Sequence, residues 1–455
     1  MKSDEVLLGI DIGTTNIGFV IINANNNSVC ETYTVANISK YECEKDFSEC
    51  DAEWIVNKID TVIKCFKGNY TNIKCIGITG QMHGVLYVDK KGRAVSPLYT
   101  WQDERANRII NNSTYCKGIF DKTGYTVFPG YGFATLYYNK INRLEPNDAN
   151  SFCTITDYLA MRLTKQTHPV MHPSNAASLG LFNITNNCFD EAAIRNLRLS
   201  HLFLPEIFEE RIVGKYEDIQ ICIAIGDNQA SFFGSVCDDN TSVLANFGTG
   251  GQISAVTDTV KNVSPLLEIR PYIKNKYLLC GCSLCSGRAY SILEKFFHAY
   301  ANLIVDNAGL QYDIMNKLAI GALNKNVTLK TSVKFCGTRQ DLNCRGIISE
   351  IDETNFTPEN LVVSVLKGMA DELKEYYDLM NLKNIKNLIM SGNAVKKNPA
   401  LKLIAEQTFG LKAETLLYNE EAAMGAALLA GIVAKTINMS HKKEILRYRS
   451  SNDER

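Results

Sequence analysis

Apolar residues recur along the chain with two periods. Short runs rich in Val and Ile, such as LLGI before Asp11 and IGFVII after a Gly-Thr-Thr turn, read as strands, and they alternate with stretches that repeat apolar residues at three and four positions. That alternation predicts an α/β protein whose sheets are covered on both faces. The first two runs predict a hairpin, with Gly13 supplying backbone dihedrals that other residues rarely adopt. Helices are expected over AEWIVNKIDTVIKCF, ERANRIINN, AYSILEKFFHAYANLI, NLVVSVLKGMADELKEYYDLM and ALKLIAEQTFG. The last of these has an N-cap in Asn398, Pro399 at the first helical position and a stop at Gly410.

A strand-turn-strand pattern occurs twice. Asp11-Ile12-Gly13-Thr14-Thr15 joins two apolar runs near the start, and in VLANFGTGGQISAV the segment Asn246-Phe247-Gly248-Thr249-Gly250 repeats the frame 235 residues later. Two such units suggest a duplicated domain in which each half offers a Gly-Thr turn to a shared ligand, the alternative being a chance likeness of two hairpins. The expected division is residues 1–220, residues 221–440 and a polar, fraying tail at 441–455.

The length of 455 residues supports two domains, with three left open. With 48 Lys plus Arg against 49 Asp plus Glu, the charge is balanced, so there is no field to gather nucleic acid. No apolar run is long enough to span a bilayer, and the amino terminus lacks the pattern of a secretory signal. The partner should therefore be a small molecule, and a homodimer is allowed. Fifteen cysteines without a framework argue for reduced thiols in the cytoplasm. Cys280, Cys282 and Cys285 cluster, but no fourth ligand follows, which favours small buried side chains over zinc.

Several segments could carry chemistry. The Gly-Thr-Thr turn at 13–15 aims N–H groups and the hydroxyls of Thr14 and Thr15 at one spot, a concavity suited to phosphate oxygens. Asp11, ending the preceding strand, would face a Mg²⁺ ion carried by a nucleotide, or else cap the turn. In ICIAIGDNQASFFGSV a strand runs into Gly226-Asp227-Asn228 and then a helix, which places Asp227 where a carboxylate can take the proton of an attacking hydroxyl, or act as an N-cap. Gln81, Met82 and His83 lie between Gly80 and Gly84, a turn able to bind polyol hydroxyls. Trp101, Gln102 and Asp103 in LYTWQDERAN pair an aromatic face with a carboxylate, as a sugar requires. For His83 and Asp103 the alternatives are a satisfied core histidine and a helix cap. Ser391-Gly392-Asn393 is a turn where glycine lets a flat base approach the backbone, and EEAAMGAALLAG is a helix that either packs closely or leaves room for a nucleotide. Neither G-x-x-x-x-G-K-[ST] nor a strand followed by G-x-G-x-x-G occurs, which disfavours a P-loop and a dinucleotide fold.

In this order the segments resemble the FGGY family of carbohydrate kinases, from about residue 7 to residue 431. The resemblance implies two actin-like, ribonuclease H-like domains with a nucleotide and sugar cleft between them, and ATP and Mg²⁺ as cofactors. It implies that DIGTT and NFGTGGQ (Gly248, Thr249, Gly250) hold phosphates, that GQMHG, WQD and Asn228 serve the sugar, that Asp227 is the catalytic base, and that SGNAVKKNP (Gly392, Asn393) and EEAAMGAA lie on the adenosine side. TITDYLAMRL, PSNAASLGLFN, YTWQDERAN and FCGTRQDLNCRGIISEI are most similar to the sedoheptulokinase branch, with xylulokinases next. Phosphorylation of sedoheptulose at C7 is then the expected reaction, with xylulose or ribulose, or a non-catalytic actin-like switch, as rivals. Two positions depart from the family: Gly250 stands where many members have Ser, and Leu136 or Tyr137 where a Lys is common.

Overall fold

Strand Val6–Ile12 is buried along its length except at Asp11, and two kinds of neighbour explain why. It pairs antiparallel with Asn16–Asn23 across the Gly-Thr-Thr turn and parallel with Ile73–Gly80. Chain contacts divide the protein into two units. Unit 1 comprises residues up to 235, Arg270–Lys276 and Tyr418–Ile445, and unit 2 comprises Val236–Ile269, Tyr277–Leu417 and residues from 446 onward. The computed structural model describes residues 4–450 apart from 111, 262, 324, 340 and 342.

The sheet of unit 1 runs in the order Ile212–Tyr216, Ile219–Cys222, Ile73–Gly80, Val6–Ile12, Asn16–Asn23, Ser28–Ala36, with Ile225–Gly226 also pairing with Ile73–Gly80. Successive side chains of a strand point to opposite faces. Phe19, opposite Ile10, meets Phe66 of helix Ala52–Asn69 with ring centroids 5.9 Å apart. That helix buries Ile55, Ile59, Val62, Ile63 and Phe66 and is capped by Asp51. Gly9, one residue before Ile10, therefore faces the other side, where helix Glu421–Val433 lies.

That second helix sits closer than side chains allow. A Cβ on Gly9 would stand 1.9 Å from the carbonyl oxygen of Ala423, and one on Gly77, its partner in register, 1.9 Å from that of Ala426. The same helix meets Asp227–Ser235 through a reciprocal glycine pair: a Cβ on Gly425 would lie 1.9 Å from the Ala230 oxygen and one on Gly234 2.1 Å from the Glu421 oxygen. Close packing is thus the use of the small residues in EEAAMGAALLAG, which the resemblance assigned to the adenosine side of the second domain. Because strand Ile225–Gly226 and helix Asp227–Ser235 are held by this packing, Asp227 belongs to unit 1 and the division expected near residue 220 lies elsewhere.

Unit 2 repeats the plan. The hairpin Ser242–Phe247 and Gly251–Thr257 pairs through its first strand with the parallel strand Asn387–Ser391. From Tyr277–Ser283 the sheet runs Gly251–Thr257, Ser242–Phe247, Asn387–Ser391, Lys412–Leu416, Tyr448–Ser450. One apolar core joins Val243, Phe247 and Leu388 to Leu366 and Leu373 of helix Pro358–Leu379 and to Leu401 and Ile404 of helix Pro399–Phe409. The last helix has its Asn398 cap, Pro399 and a left-handed Gly410, as the sequence predicts.

Three local expectations change. Gly13 is not left-handed; a side chain there is excluded because its Cβ would lie 2.7 Å from the Asn16 carbonyl. ERANRIINN, whose residue 111 lies outside the described residues, forms a 3-10 turn Arg105–Asn107 and a short strand Ile109–Ile110 instead of a helix, since Arg105 turns inward to buried polar partners. The tail does not fray from 441: helix Met439–Ile445 and strand Tyr448–Ser450, paired with Lys412–Leu416, order it, while residues 451–455 lie outside the described residues.

Gly77→Ala is expected to destabilise unit 1 by about 1–3 kcal/mol or more, because the new methyl must displace helix backbone. Urea unfolding checks this; an unchanged midpoint would remove the backbone contact as a constraint.

Candidate active site

Asp227 takes its position from the strand behind it. Ile225 and Gly226 pair with Thr79 and Gly80, and the Thr79 hydroxyl donates to the Ile225 carbonyl at 2.7 Å, so the chain leaves the sheet beside the turn that carries Gln81. A buried polar layer holds the strand. The Gly226 N–H donates to Ser174 Oγ (2.9 Å), which lies 2.7 Å from His172 Nδ1, and Asn175 Nδ2 donates to Asp157 Oδ1 and to the Ala224 carbonyl. Burial holds the His172 ring down at about 3 and pushes the Asp157 carboxyl up to about 7, against its hydrogen bonds to Thr154 and Asn175. These residues come from TITDYLAMRL and from the His172 and PSNAASLGLFN stretch; they position the strand without reaching the pocket.

A pocket of about 310 Å³ in unit 1 is lined by Asp11, Gly13, Thr14, Gln81, Met82, His83, Trp101, Asp227 and Asn228. Residues far apart in the sequence therefore meet at one place within a single unit. Asp227 Oδ1 accepts from the N–H of Asn228 (2.7 Å) and from its Nδ2 (3.2 Å), and Asp227 lines the pocket with Oδ2 outside these bonds. Gln81 is 5 % exposed, and neither its amide oxygen nor its amide nitrogen has a protein partner. A buried amide in that state costs stability unless a ligand supplies the bonds. Met82 packs against Gly226, where a Cβ would lie 2.8 Å from its sulfur.

His83 adopts a left-handed backbone, φ 71°, a strained conformation for a residue with a side chain. Its N–H donates to Ser178 Oγ, its Nδ1 lies 2.7 Å from the Ser178 carbonyl, and its ring stacks on Tyr131 at 4.4 Å. A carbonyl only accepts, so Nδ1 carries the proton. Trp101 is about half exposed, and its Nε1 donates to Thr14 Oγ1 at 2.9 Å, tying the aromatic loop to the Gly-Thr-Thr turn.

Two predicted residues of unit 1 stand outside this pocket. Thr15 is exposed beyond its lining. Asp103 is fully enclosed: Arg105 donates to both of its oxygens, and the Ser48 N–H donates to Oδ2. The Arg105 guanidinium is itself sandwiched near Phe47 and Tyr99. Asp103 therefore braces the loop that presents Trp101 and offers no acceptor to a sugar.

Sequence reading missed three charged residues. Arg270, on the excursion Arg270–Lys276 that docks through a Gln229 bond to the Pro271 carbonyl, draws the Asp227 carboxyl down, against the larger effect of burial, which raises it. Glu420 and Glu421, at the start of the small-residue helix, act on Asp11. Burial first, then the charges of Asp227, Glu420 and Glu421, push the Asp11 carboxyl up to about 8. A carboxylate so crowded by like charge is suited to face a cation brought by a ligand; among the described residues no three His, Cys, Asp or Glu side chains form a metal cluster.

In unit 2 the turn at 248–250 meets the start of helix Gly287–Asn302. The N–H groups of Ser286 and Arg288 donate to the Thr249 carbonyl, and that of Gly287 to the Gly248 carbonyl. Gly392 has φ 96°, and a Cβ there would lie 2.6 Å from the Phe247 carbonyl, so the Gly392 turn closes against the first. Gly248, Thr249, Gly250 and Gly392 thus share one corner of unit 2, with Asn393 exposed beside them. None of the fifteen cysteines is in a disulfide, and Cys280, Cys282 and Cys285 are buried. Among the described residues no helix is long and apolar enough to cross a membrane.

Comparison with known proteins adds the following. Residues 6–245 match the N-terminal domain, and residues 247–434 the C-terminal domain, of the FGGY family of carbohydrate kinases. The chain is 25 % identical to a sedoheptulokinase of Mus musculus over 94 % of its own length and 98 % of that protein's. It is 26 % identical to a glycerol kinase of Saccharolobus islandicus, over 94 % and 88 % of the two chains. The solved structure of a ligand-bound xylulose kinase from Lactobacillus acidophilus superposes with TM-score 0.81 at 20 % identity, covering 98 % of this chain and 93 % of that one, a likeness of fold.

The raised Asp11 carboxyl has a measurable sign. In the folded protein it keeps its proton up to about pH 8, whereas an unperturbed aspartate loses it near 3.8, so the folded state binds the extra proton in between and loses stability as pH rises across that window. Asp11→Asn removes the charge. Without nucleotide or divalent cation, its gain in Tm over the native chain should widen by several degrees between pH 5 and pH 8, read by calorimetry; a constant gap would show that Asp11 is not crowded by its neighbours.

Proposed function

The chain belongs to the FGGY family of carbohydrate kinases, and from that premise we propose that this ATP-dependent sugar kinase phosphorylates the terminal C7 hydroxyl of sedoheptulose, giving sedoheptulose 7-phosphate and ADP. The observation that carries the reading is the pairing, in one pocket, of Asp227 with a carboxylate oxygen left over and Gln81 with both amide atoms unsatisfied. Gln81 can donate to one sugar hydroxyl and accept from another. The ring of Trp101 offers apolar surface to the C–H side of the sugar, and Met82 and Asn228 shape the wall beside Asp227. The likeness to a mouse sedoheptulokinase, together with the segments TITDYLAMRL and PSNAASLGLFN behind the Asp227 strand, favours a seven-carbon ketose.

As the sugar oxygen attacks the terminal phosphorus of ATP, its proton passes to Asp227 Oδ2, the bond to the bridging oxygen breaks and ADP departs. Burial, which raises the Asp227 carboxyl, makes it a stronger base, and Arg270 keeps it ionised enough to act. Thr14 and Gly13 offer a hydroxyl and backbone to phosphate oxygens in unit 1, while Gly248, Thr249, Gly250, Gly392 and Asn393 serve the nucleotide in unit 2. Mg²⁺ carried by the nucleotide would be oriented by Asp11 through water and would spread the negative charge of the transferring group. The hydroxyl that Gly250 lacks leaves Thr249 as the side-chain contact in that turn.

A panel of sedoheptulose, xylulose, ribulose and glycerol with coupled ADP detection tests the substrate. The highest kcat/KM should fall on sedoheptulose; a preference for glycerol would favour the glycerol kinase relatives instead, and ATP binding without sugar-dependent ADP would leave a nucleotide switch. Asp227→Asn is expected to lower kcat by about 10²- to 10⁴-fold with the fold intact by circular dichroism. Turnover near that of the native enzyme would remove it from the mechanism. Thr249→Val should raise the KM for ATP by about tenfold or more, the loss of one hydrogen bond to a charged group, and leave the sugar KM in place.

A further inference from the structure

Exposure alone would make Cys43, Cys65 and Cys188 the reactive thiols of this chain. Cys336 is set apart by its surroundings. It is partly open to solvent, and Arg288, the second residue of helix Gly287–Asn302, donates from Nη1 to its sulfur at 3.6 Å. Cys285, almost wholly buried and directly before Ser286, belongs to the apolar core that Cys336 packs against, and its thiol interacts with the Cys336 sulfur. A guanidinium against one thiol and a second thiol within reach of it is the arrangement of a reactive and a resolving cysteine.

We propose that Cys336 and Cys285 form a reversible dithiol–disulfide site for low-molecular-weight disulfides, and that closing it weakens ATP binding by unit 2. The Cys336 sulfur attacks one sulfur of a disulfide RSSR, giving a mixed Cys336–SR disulfide and releasing the first RS⁻, which takes up the Cys336 proton. Cys285 then attacks the Cys336 sulfur, the second RS⁻ leaves with the Cys285 proton, and the products are one internal disulfide and two RSH. Cys285 is almost wholly buried while Cys336 is partly open, so an external disulfide reaches the Cys336 sulfur first and Cys285 can act only on the sulfur beside it. The order of attack is thereby set by the structure.

The consequence for ATP rests on the reading of the 248–250 turn as a nucleotide site; the disulfide itself does not. Residues Ser286, Gly287 and Arg288, directly after Cys285, hold the carbonyls of Thr249 and Gly248 through their N–H groups. Joining Cys285 to Cys336 would tether the residue that leads directly into those bonds and turn the thiol that Arg288 contacts into a disulfide sulfur.

The test treats the full chain with oxidised glutathione, alkylates the remaining thiols and maps peptides by mass spectrometry. A Cys285–Cys336 cross-linked peptide should form before adducts at the other buried cysteines, and the KM for ATP should rise at least severalfold and return with dithiothreitol. Cys336→Ser should abolish both effects. Cys285→Ser should trap the glutathione adduct on Cys336, and Arg288→Gln should slow its formation. Absence of the cross-link while Cys43, Cys65 and Cys188 react would overturn the site. If the cross-link forms and Thr249→Val raises the KM for ATP but oxidation does not, the coupling to ATP is wrong; if neither change affects ATP, the nucleotide reading of unit 2 fails instead.

Discussion

The placement of helix Glu421–Val433 against bare backbone is the constraint on which unit 1 depends. Two strands, Val6–Ile12 and Ile73–Gly80, present glycines side by side in register, and the helix lays its carbonyls where side chains would otherwise stand. The reciprocal glycines Gly234 and Gly425 bring helix Asp227–Ser235 to the same distance. Such contacts gain dispersion and exclude water, but they tolerate no added atom, because helix backbone cannot yield as a side chain can. The catalytic candidate begins one of these helices, and Glu420 and Glu421 begin the other, so a packing contact determines which charges gather near Asp11.

That gathering explains the character of the pocket. Burial pushes Asp11 and Asp227 toward protonation, the charges of Asp227, Glu420 and Glu421 push Asp11 further, and the Asn228 bonds and Arg270 act as counterweights for Asp227. A site so arranged is under strain until something positive or hydrogen-bonding arrives. The unsatisfied amide of Gln81 and the left-handed backbone of His83 are further local costs at the same pocket. A fold holds such costs only where the surrounding structure over-determines them, here the Ser174, His172 and Asn175 layer behind the Asp227 strand and the Asp103–Arg105 brace behind Trp101.

Unit 2 solves a different problem with the same topology. Its hairpin turn and the Gly392 turn close on each other through glycines, and the start of helix Gly287–Asn302 is bound to the carbonyls of the first turn. Here the polar groups are tied to backbone, and no buried carboxylate stands in the turn. The two turns differ in the residues around them: carboxylates stand beside the first, and none lies within the second.

Much of this was legible from local pattern. The period-2 runs, the helix over ALKLIAEQTFG with its cap and stop, and the two Gly-Thr turns are properties of short segments, where backbone sterics and burial of one face act over a few residues. Asp11, Gln81, His83, Trp101 and Asp227 could be picked out because each stands at the end of a strand or in a glycine-bounded turn, positions that rarely point into a core. Tertiary structure alone decided the rest. That Asp103 is sealed by Arg105, that Arg270 returns to Asp227, that Asp227 belongs with the first unit and that Glu421 crowds Asp11 are all consequences of contacts between segments tens to hundreds of residues apart. No local periodicity encodes them, because the energy of a buried charge or a backbone contact depends on which distant groups surround it.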